Sequence, residues 1–169
     1  MGYLDTAKDR AVSVAGSLVN KITGDEAPEA GNGQWVTVAC TVVEAEELWR
    51  DAHRMSIVLG ELGDVQYRDP DVYRWTLHAG PLSTTWESRV HGERDGLRFV
   101  GTDGNEIVVT IRVAPHHLGT ELGLKTKTPA PDLLSGALAF KVLYRCRALL
   151  QTGEVPTIRS NPSARPSAR

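Results

Sequence analysis

The five histidines are the side chains best suited to acid–base or metal chemistry in this chain: His53, His78, His91, His116 and His117. Imidazole titrates near neutral pH, so a histidine enclosed in a pocket could serve as a general acid or base. We expect His53 to lie nearest the mouth of any cavity, but a solvated surface position is favoured for all five. Because the adjacent side chains of His116 and His117 point apart and no third ligand is near, we predict no metal site. The histidines therefore assign no catalytic residue.

Thiols and hydroxyls add little further chemistry. Cys40 and Cys146 each have apolar neighbours, so we interpret them as small buried hydrophobes rather than as disulfide partners or metal ligands. Tyr73, Ser88 and Tyr144 could anchor a ligand by a hydrogen bond, although ordinary satisfaction of each hydroxyl within the protein is favoured. The sequence contains neither a phosphate-binding glycine loop nor a nucleophile elbow. The residue types alone thus do not define an enzyme.

Composition indicates one soluble domain. The 169 residues are 41% hydrophobic and 24% charged, and the formal net charge is −2. No basic stretch interleaved with aromatic residues occurs, which argues against nucleic-acid binding. Neither an apolar run of about 18 residues nor a secretory signal is present, so we expect a cytoplasmic protein. No cofactor is expected.

The chain divides into four parts. Residues 3–23 place apolar side chains at three- and four-residue intervals, which predicts an amphipathic helix. Residues 24–33 are rich in glycine, proline and acid, as linkers are, and residues 34–155 form the predicted domain. Residues 156–169 have little to bury and are predicted to be disordered. Because the stripe of the first helix is rich in alanine and valine, we expect at most a weak contact of residues 3–23 with a membrane surface or a protein.

Inside the domain, seven segments alternate apolar and polar side chains with the period of a strand. They cover residues 35–43, 62–68, 73–78, 84–90, 97–99, 107–113 and 120–126. Turn residues separate the segments from the second onward. One apolar and one polar face on each strand indicate an antiparallel sheet that is covered on one side only.

Two stretches have the helical period instead. Residues 44–59 follow the first strand and carry acids in what would be the first turn, where the helix dipole favours them. Residues 131–151 are predicted to form the long helix that covers the sheet. Its predicted apolar stripe comprises Leu134, Leu138, Val142, Cys146 and Leu149, widened by Phe140 and Tyr144. The remaining, polar positions of this helix are Lys141, Arg145 and Arg147.

Five short motifs occur in the order and at the spacing found in one superfamily. They are Val42-Val-Glu-Ala-Glu-Glu-Leu-Trp-Arg-Asp, Arg74-Trp75, Thr85-Trp-Glu-Ser-Arg-Val, Gly119-Thr-Glu-Leu and Ala148-Leu-Leu-Gln-Thr-Gly-Glu-Val-Pro-Thr. On these residues the chain resembles the SRPBCC or START-like superfamily, in particular its bacterial polyketide cyclase/dehydrase and coenzyme Q-binding branch. One departure is Arg54-Met-Ser-Ile-Val-Leu, which lacks the proline that many relatives carry after the first helix.

The resemblance implies an α+β helix-grip fold of the START-like or Bet v 1-like kind. Such a fold has a bent antiparallel sheet of about seven strands around a long C-terminal helix, with two short helices after the first strand. A bent sheet and a helix do not pack flush, so an apolar cavity is expected between them. The residues expected to line it are Trp75, Trp86, Phe99, Val109, Leu122, Leu124, Leu138, Val142 and Cys146.

The function implied by the resemblance is binding of a hydrophobic small molecule, such as a lipid, a quinone or a polyketide-like compound, in that cavity. One alternative is an aromatic polyketide cyclase/dehydratase, which would require a polar cluster inside the cavity. A second alternative is an interaction module without a ligand, which would have a filled interior. Members of one fold carry many functions, so the resemblance does not choose between these three.

Overall fold

The structure, a computed structural model, describes residues 33–127 and 136–156. The predicted helix 3–23, nearly all of the linker, the first five residues of the predicted long helix and the tail from residue 157 lie outside the described residues.

The described residues form one antiparallel sheet of seven strands. The strands are β1 (Gln34–Val38), β2 (Gly63–Asp69), β3 (Val72–Ala79), β4 (Leu82–Glu93), β5 (Gly96–Gly101), β6 (Glu106–Val113) and β7 (Thr120–Lys127). Their spatial order is β1-β7-β6-β5-β4-β3-β2, so β2 to β7 form a meander and β1 pairs with β7. The predicted antiparallel sheet is confirmed.

Three α-helices cover the sheet in the described part of the chain. Helices α1 (Val42–Arg50) and α2 (Ala52–Leu59) lie between β1 and β2 in the sequence, and a 3₁₀ turn (Gly60–Leu62) joins α2 to β2. Helix α3 (Gly136–Thr152) contacts β1 and β7. None of the described helices has the length and apolar character needed to span a bilayer. The helix-grip prediction, including the two short helices after the first strand, is confirmed.

Capping side chains decide where the short helices begin. The amide of Glu44 donates to Thr41 Oγ1 at 3.2 Å, and the amide of Thr41 donates to Glu44 Oε2 at 2.8 Å. This capping box starts α1 at residue 42 rather than 44 and ends the first strand at Val38 rather than at residue 43. The carboxylate of Asp51 accepts from the amide of Arg54 at 3.0 Å, which starts α2 and divides the predicted helical stretch in two.

Aromatic side chains on the inner face of β3, β4 and β5 form the centre of the core. Trp75 stacks on its cross-strand partner Trp86, with ring centroids 6.3 Å apart. The ring of Phe99 meets Trp75 edge-on at 5.2 Å and Tyr73 at 5.3 Å. Because edge-on and offset stacked rings add to the free energy of apolar burial, this cluster fixes the packing of the central strands.

Helix α3 turns a different face to the sheet from the one predicted. Its buried residues are Ala139, Val142, Leu143, Arg145 and Cys146. Phe140 and Tyr144, expected to widen the apolar stripe, are 48% and 51% exposed. Each lies one residue, or about 100° of helix rotation, from a buried position, and this turns both rings away from the sheet. Arg145, expected on the polar face, is only 5% exposed, because its guanidinium finds partners under the helix.

The hydroxyl of Tyr73 links the sheet to the end of α1. It donates to the backbone carbonyl of Arg50 at 2.8 Å, and burial raises the pKa of Tyr73 from 10.0 to about 12. A pKa raised by folding contributes stability that is complete below pH 10 and is lost as the pH rises toward 12. We expect Tyr73→Phe to lower the free energy of unfolding by about 1 kcal/mol at pH 7 and to reduce this alkaline loss.

Urea unfolding of both proteins at pH 8 and pH 11 measures the two effects. Tyr67→Phe is the control, because the Tyr67 ring is 56% exposed and its loss should change the free energy of unfolding by less than about 0.5 kcal/mol. An alkaline loss of the same size in the wild type and in Tyr73→Phe would contradict the assignment.

Candidate functional site

A small cavity lies between the inner face of the sheet and the helices. Its volume is about 10 Å³, which is close to the smallest space that holds one water molecule. Its described lining consists of Trp49, Met55, Leu59, Trp75, Leu77, Ile107, Leu124, Thr126 and Val142. Three of these residues belong to α1 and α2, one belongs to α3, and the sheet supplies the other five. The cavity is therefore enclosed by all the layers of the fold.

Of the nine residues expected to line a cavity, the structure brings three to it: Trp75, Leu124 and Val142. The other six pack into the interior without bordering this space. Five of them, Trp86, Phe99, Val109, Leu122 and Cys146, are buried, and Leu138 is half-buried. Inward-facing strand positions thus identify the core, whereas the position of the void depends on how the side chains interdigitate.

The two short helices supply lining residues that the sequence reasoning missed. Trp49 of α1 and Met55 and Leu59 of α2 all border the cavity and are almost completely buried. A signal for them exists in the sequence, because Leu48 and Trp49 lie four and three residues before Ala52 within an apolar helical pattern. Treating α1 and α2 as part of the cover, together with α3, would have found them.

Two indole N–H groups border this region, and only one has a partner. Trp75 Nε1 donates to Ser88 Oγ at 2.8 Å, and both residues are buried. Trp49 is 2% exposed, and its Nε1 is buried with no hydrogen-bond acceptor among the described residues. Leaving a buried donor without an acceptor costs free energy, so the Trp49 indole is the unsatisfied polar group of an otherwise apolar site.

Arg145 fastens α3 to the end of α2 beside the cavity. Its Nη1 donates to the backbone carbonyl of Leu59 at 2.8 Å, and its Nη2 donates to Glu61 Oε2 at 3.0 Å. Lys141 donates to the other oxygen of Glu61 at 2.6 Å. Hydrogen bonds from Lys141, from its own backbone amide and from Arg145 hold the pKa of Glu61 at about 2. Because Leu59 lines the cavity, these contacts position one of its walls.

The candidate acid–base residues lie elsewhere. All five histidines are exposed, and none borders the cavity. His116 and His117 lie in the 3₁₀ turn Pro115–His117, with positive φ angles of 56° and 58°. In the described ranges, no group of three histidine, cysteine, aspartate or glutamate side chains is close enough to hold a metal ion. The hydroxyls expected to anchor a ligand are divided: Tyr73 and Ser88 have the partners given above, and Tyr144 is exposed on α3.

The two cysteines differ in burial, and both are free thiols. Cys146 is fully buried and Cys40 is half-buried, and burial raises the pKa of each thiol. Because the thiolate is the reactive form, we expect Cys146 to be unreactive in the folded protein at pH 8 and Cys40 to react slowly.

Thiol titration with a chromogenic disulfide reagent, with and without urea, checks this expectation. In Cys40→Ser, the folded protein should show almost no reaction within an hour, and the unfolded protein should show one full equivalent. Rapid reaction of folded Cys40→Ser would contradict the burial of Cys146.

Comparison with protein-family models finds no match, and neither does comparison with curated proteins. Solved structures do match. A protein of Deinococcus radiodurans superposes with a TM-score of 0.56 at 24% identity, over 72% of this chain and 96% of that one. For a protein of Thermus thermophilus the TM-score is 0.55 at 14% identity, over 72% and 97% of the two chains.

A third matching structure is the di-domain ARO/CYC StfQ of the steffimycin biosynthetic pathway. The TM-score is 0.52 at 12% identity, and the match covers 72% of this chain and 44% of StfQ. Identities this low show a common fold and nothing about a shared ligand or reaction. The chain therefore has the helix-grip architecture of START-like and Bet v 1-like proteins, with a small apolar cavity at its centre.

Proposed function

We propose that this protein binds a hydrophobic small molecule, such as a lipid, a quinone or a polyketide-like compound, between the sheet and the helices. The observation that carries the proposal is the cavity, whose described lining is apolar apart from the hydroxyl of Thr126 and the indole nitrogens of two tryptophans. Apolar walls with a few polar groups are typical of sites for small organic ligands.

Binding requires the cavity to expand, because a space of about 10 Å³ does not hold an organic molecule. Helix α2 is the element whose displacement would enlarge it, since α2 supplies both Met55 and Leu59. The unbranched Met55 side chain adapts its shape readily. Two sets of contacts resist such a movement: Ser56 Oγ bonds the backbone of Val65 at 2.9 Å, and Arg145 holds the carbonyl of Leu59.

The other functions have less support. A cyclase would need a general acid or base in the cavity, and the described lining contains no carboxylate, histidine or lysine. An interaction module would need no cavity, and the small volume is compatible with it. Binding of an apolar molecule is preferred because an unsatisfied donor inside an apolar void serves no purpose in a surface module.

The test combines extraction with a matched pair of variants. Mass spectrometry of an organic extract of the purified protein should reveal a bound apolar compound, and the stripped protein should bind N-phenyl-1-naphthylamine with enhanced fluorescence. Val142→Leu narrows the cavity and should weaken probe binding about tenfold, because overpacking a filled interior costs on the order of 1–3 kcal/mol.

Val43→Leu is the control, since Val43 is also helical but 64% exposed. Circular dichroism shows whether each variant keeps its fold. Equal probe binding by both variants, or the absence of any extracted compound together with no probe binding, would overturn the proposal and favour the interaction module.

A further inference from the structure

The indole of Trp49 lies in the wall of the cavity with its hydrogen-bond donor unused. The residue is 2% exposed, and Nε1 has no acceptor within the described ranges. An apolar wall at this position needs only a ring, which phenylalanine would supply without burying a donor. The N–H group therefore carries an energetic cost that a purely structural role does not explain.

The neighbouring tryptophan shows that the interior does supply acceptors to indoles. Trp75 also borders the cavity, and its Nε1 donates to the buried Ser88 Oγ at 2.8 Å. Ser88 lies on the inward-facing phase of β4, where Trp86 and Val90 are its apolar neighbours. One of the two cavity indoles thus has a dedicated buried partner, and the other is left with an open donor beside empty space.

We infer that Trp49 Nε1–H is the anchor for an uncharged oxygen acceptor on the ligand, and that the site selects apolar molecules carrying a carbonyl-type oxygen. This inference rests on the proposed function and narrows its ligand class. A hydrocarbon would fill the space but leave the donor unsatisfied. A carboxylate would bury a negative charge where the described lining offers no lysine, arginine or histidine to pair with it.

A matched ligand pair separates the donor from the apolar surface. Fluorene and 9-fluorenone have nearly the same planar shape, and only the second carries a carbonyl oxygen. Titration of the full chain, followed by tryptophan fluorescence, should give tighter binding of 9-fluorenone by about fivefold, which is the value expected for one buried hydrogen bond.

Trp49→Phe removes the donor and retains an aromatic wall, so it should bind both compounds with equal affinity while keeping its affinity for fluorene. Trp35→Phe is the matched control, because Trp35 is 38% exposed and lies away from the cavity lining. It should keep the fivefold preference.

A second measurement does not depend on whether Trp49→Phe folds. In ¹H–¹⁵N spectra of the wild type, 9-fluorenone should move the indole N–H resonance of Trp49 downfield, and fluorene should not. Equal affinities of the two compounds for the wild type would overturn the inference and leave the proposed function standing. Failure of both compounds to bind would overturn both. A Trp49 N–H contact with water that persists when 9-fluorenone is bound would show that water is the acceptor, and it would also overturn the inference.

Discussion

Replacing Gly63 with alanine is expected to lower the free energy of unfolding by more than about 3 kcal/mol. Gly63 lies between the 3₁₀ turn and β2, with φ 151° and ψ −164°, a region of backbone space that is almost exclusive to glycine. A Cβ atom there would lie 1.9 Å from the carbonyl oxygen of Thr76 in the paired strand β3. Since a backbone atom cannot swing aside, the β2–β3 pairing itself would have to shift.

The effect of Gly63→Ala is measured by urea unfolding, with Gly104→Ala as the control. Gly104 also has a positive φ, 72°, but a Cβ at this position would meet no heavy atom within 4 Å. Gly104→Ala should therefore cost only the conformational penalty, about 1–2 kcal/mol. If the two variants unfolded at the same urea concentration, the contact with the Thr76 carbonyl would not be the cause of the destabilisation.

Arg145→Ala is expected to lower the free energy of unfolding by about 3 kcal/mol. The substitution removes a buried side chain and leaves the Leu59 carbonyl without its donor. It also removes one partner of Glu61, although that carboxylate is 62% exposed, so water compensates most of that loss. The glycine at position 60 lets the guanidinium approach, since a Cβ there would lie 2.8 Å from Arg145 Nη2.

Lys141→Ala is the control for charge alone. Lys141 pairs with the same carboxylate at 2.6 Å but is half-exposed, so its loss should cost less than about 1 kcal/mol. Arg145→Lys keeps the charge but cannot make both bonds, and it should lie close to Arg145→Ala. If Lys141→Ala proved as destabilising as Arg145→Ala, the charge on Glu61 rather than the buried guanidinium would dominate.

Arg145 also links stability to the proposed binding function. Its bond to Leu59 restrains the helix that would have to move for the cavity to expand. Arg145→Ala should therefore loosen α2, and a less stable protein that still folds would be the form in which an apolar probe enters most readily. The probe titration used for Val142→Leu can be applied to it directly.

Much of the fold was predictable because strand periodicity is a local property. Tyr73, Trp75 and Leu77 alternate with polar residues, and all three are buried. The order of the strands follows from short turns, since antiparallel neighbours need only a few connecting residues. The boundaries of the first helices were less accurate, because Thr41 and Asp51 act through capping bonds that the apolar pattern does not reveal.

The candidate site was predictable only in part. Trp75, Leu124 and Val142 were expected at the cavity and lie there, whereas Phe99 and Cys146 are packed solid. Trp49 was overlooked because its side chain reaches the cavity from a short helix that the sequence argument did not treat as part of the cover. Whether its N–H finds an acceptor depends on atoms distant in the chain.

The sequence by itself determined the alternation of the strands, the helical stretches and their order, and these specify a helix-grip architecture because each depends on neighbouring residues. Only the tertiary structure decided which face of α3 is buried, why Arg145 is enclosed, and how little space remains at the centre. These features depend on side chains from separate elements competing for the same volume, and the volume left over is a small difference between large packed layers.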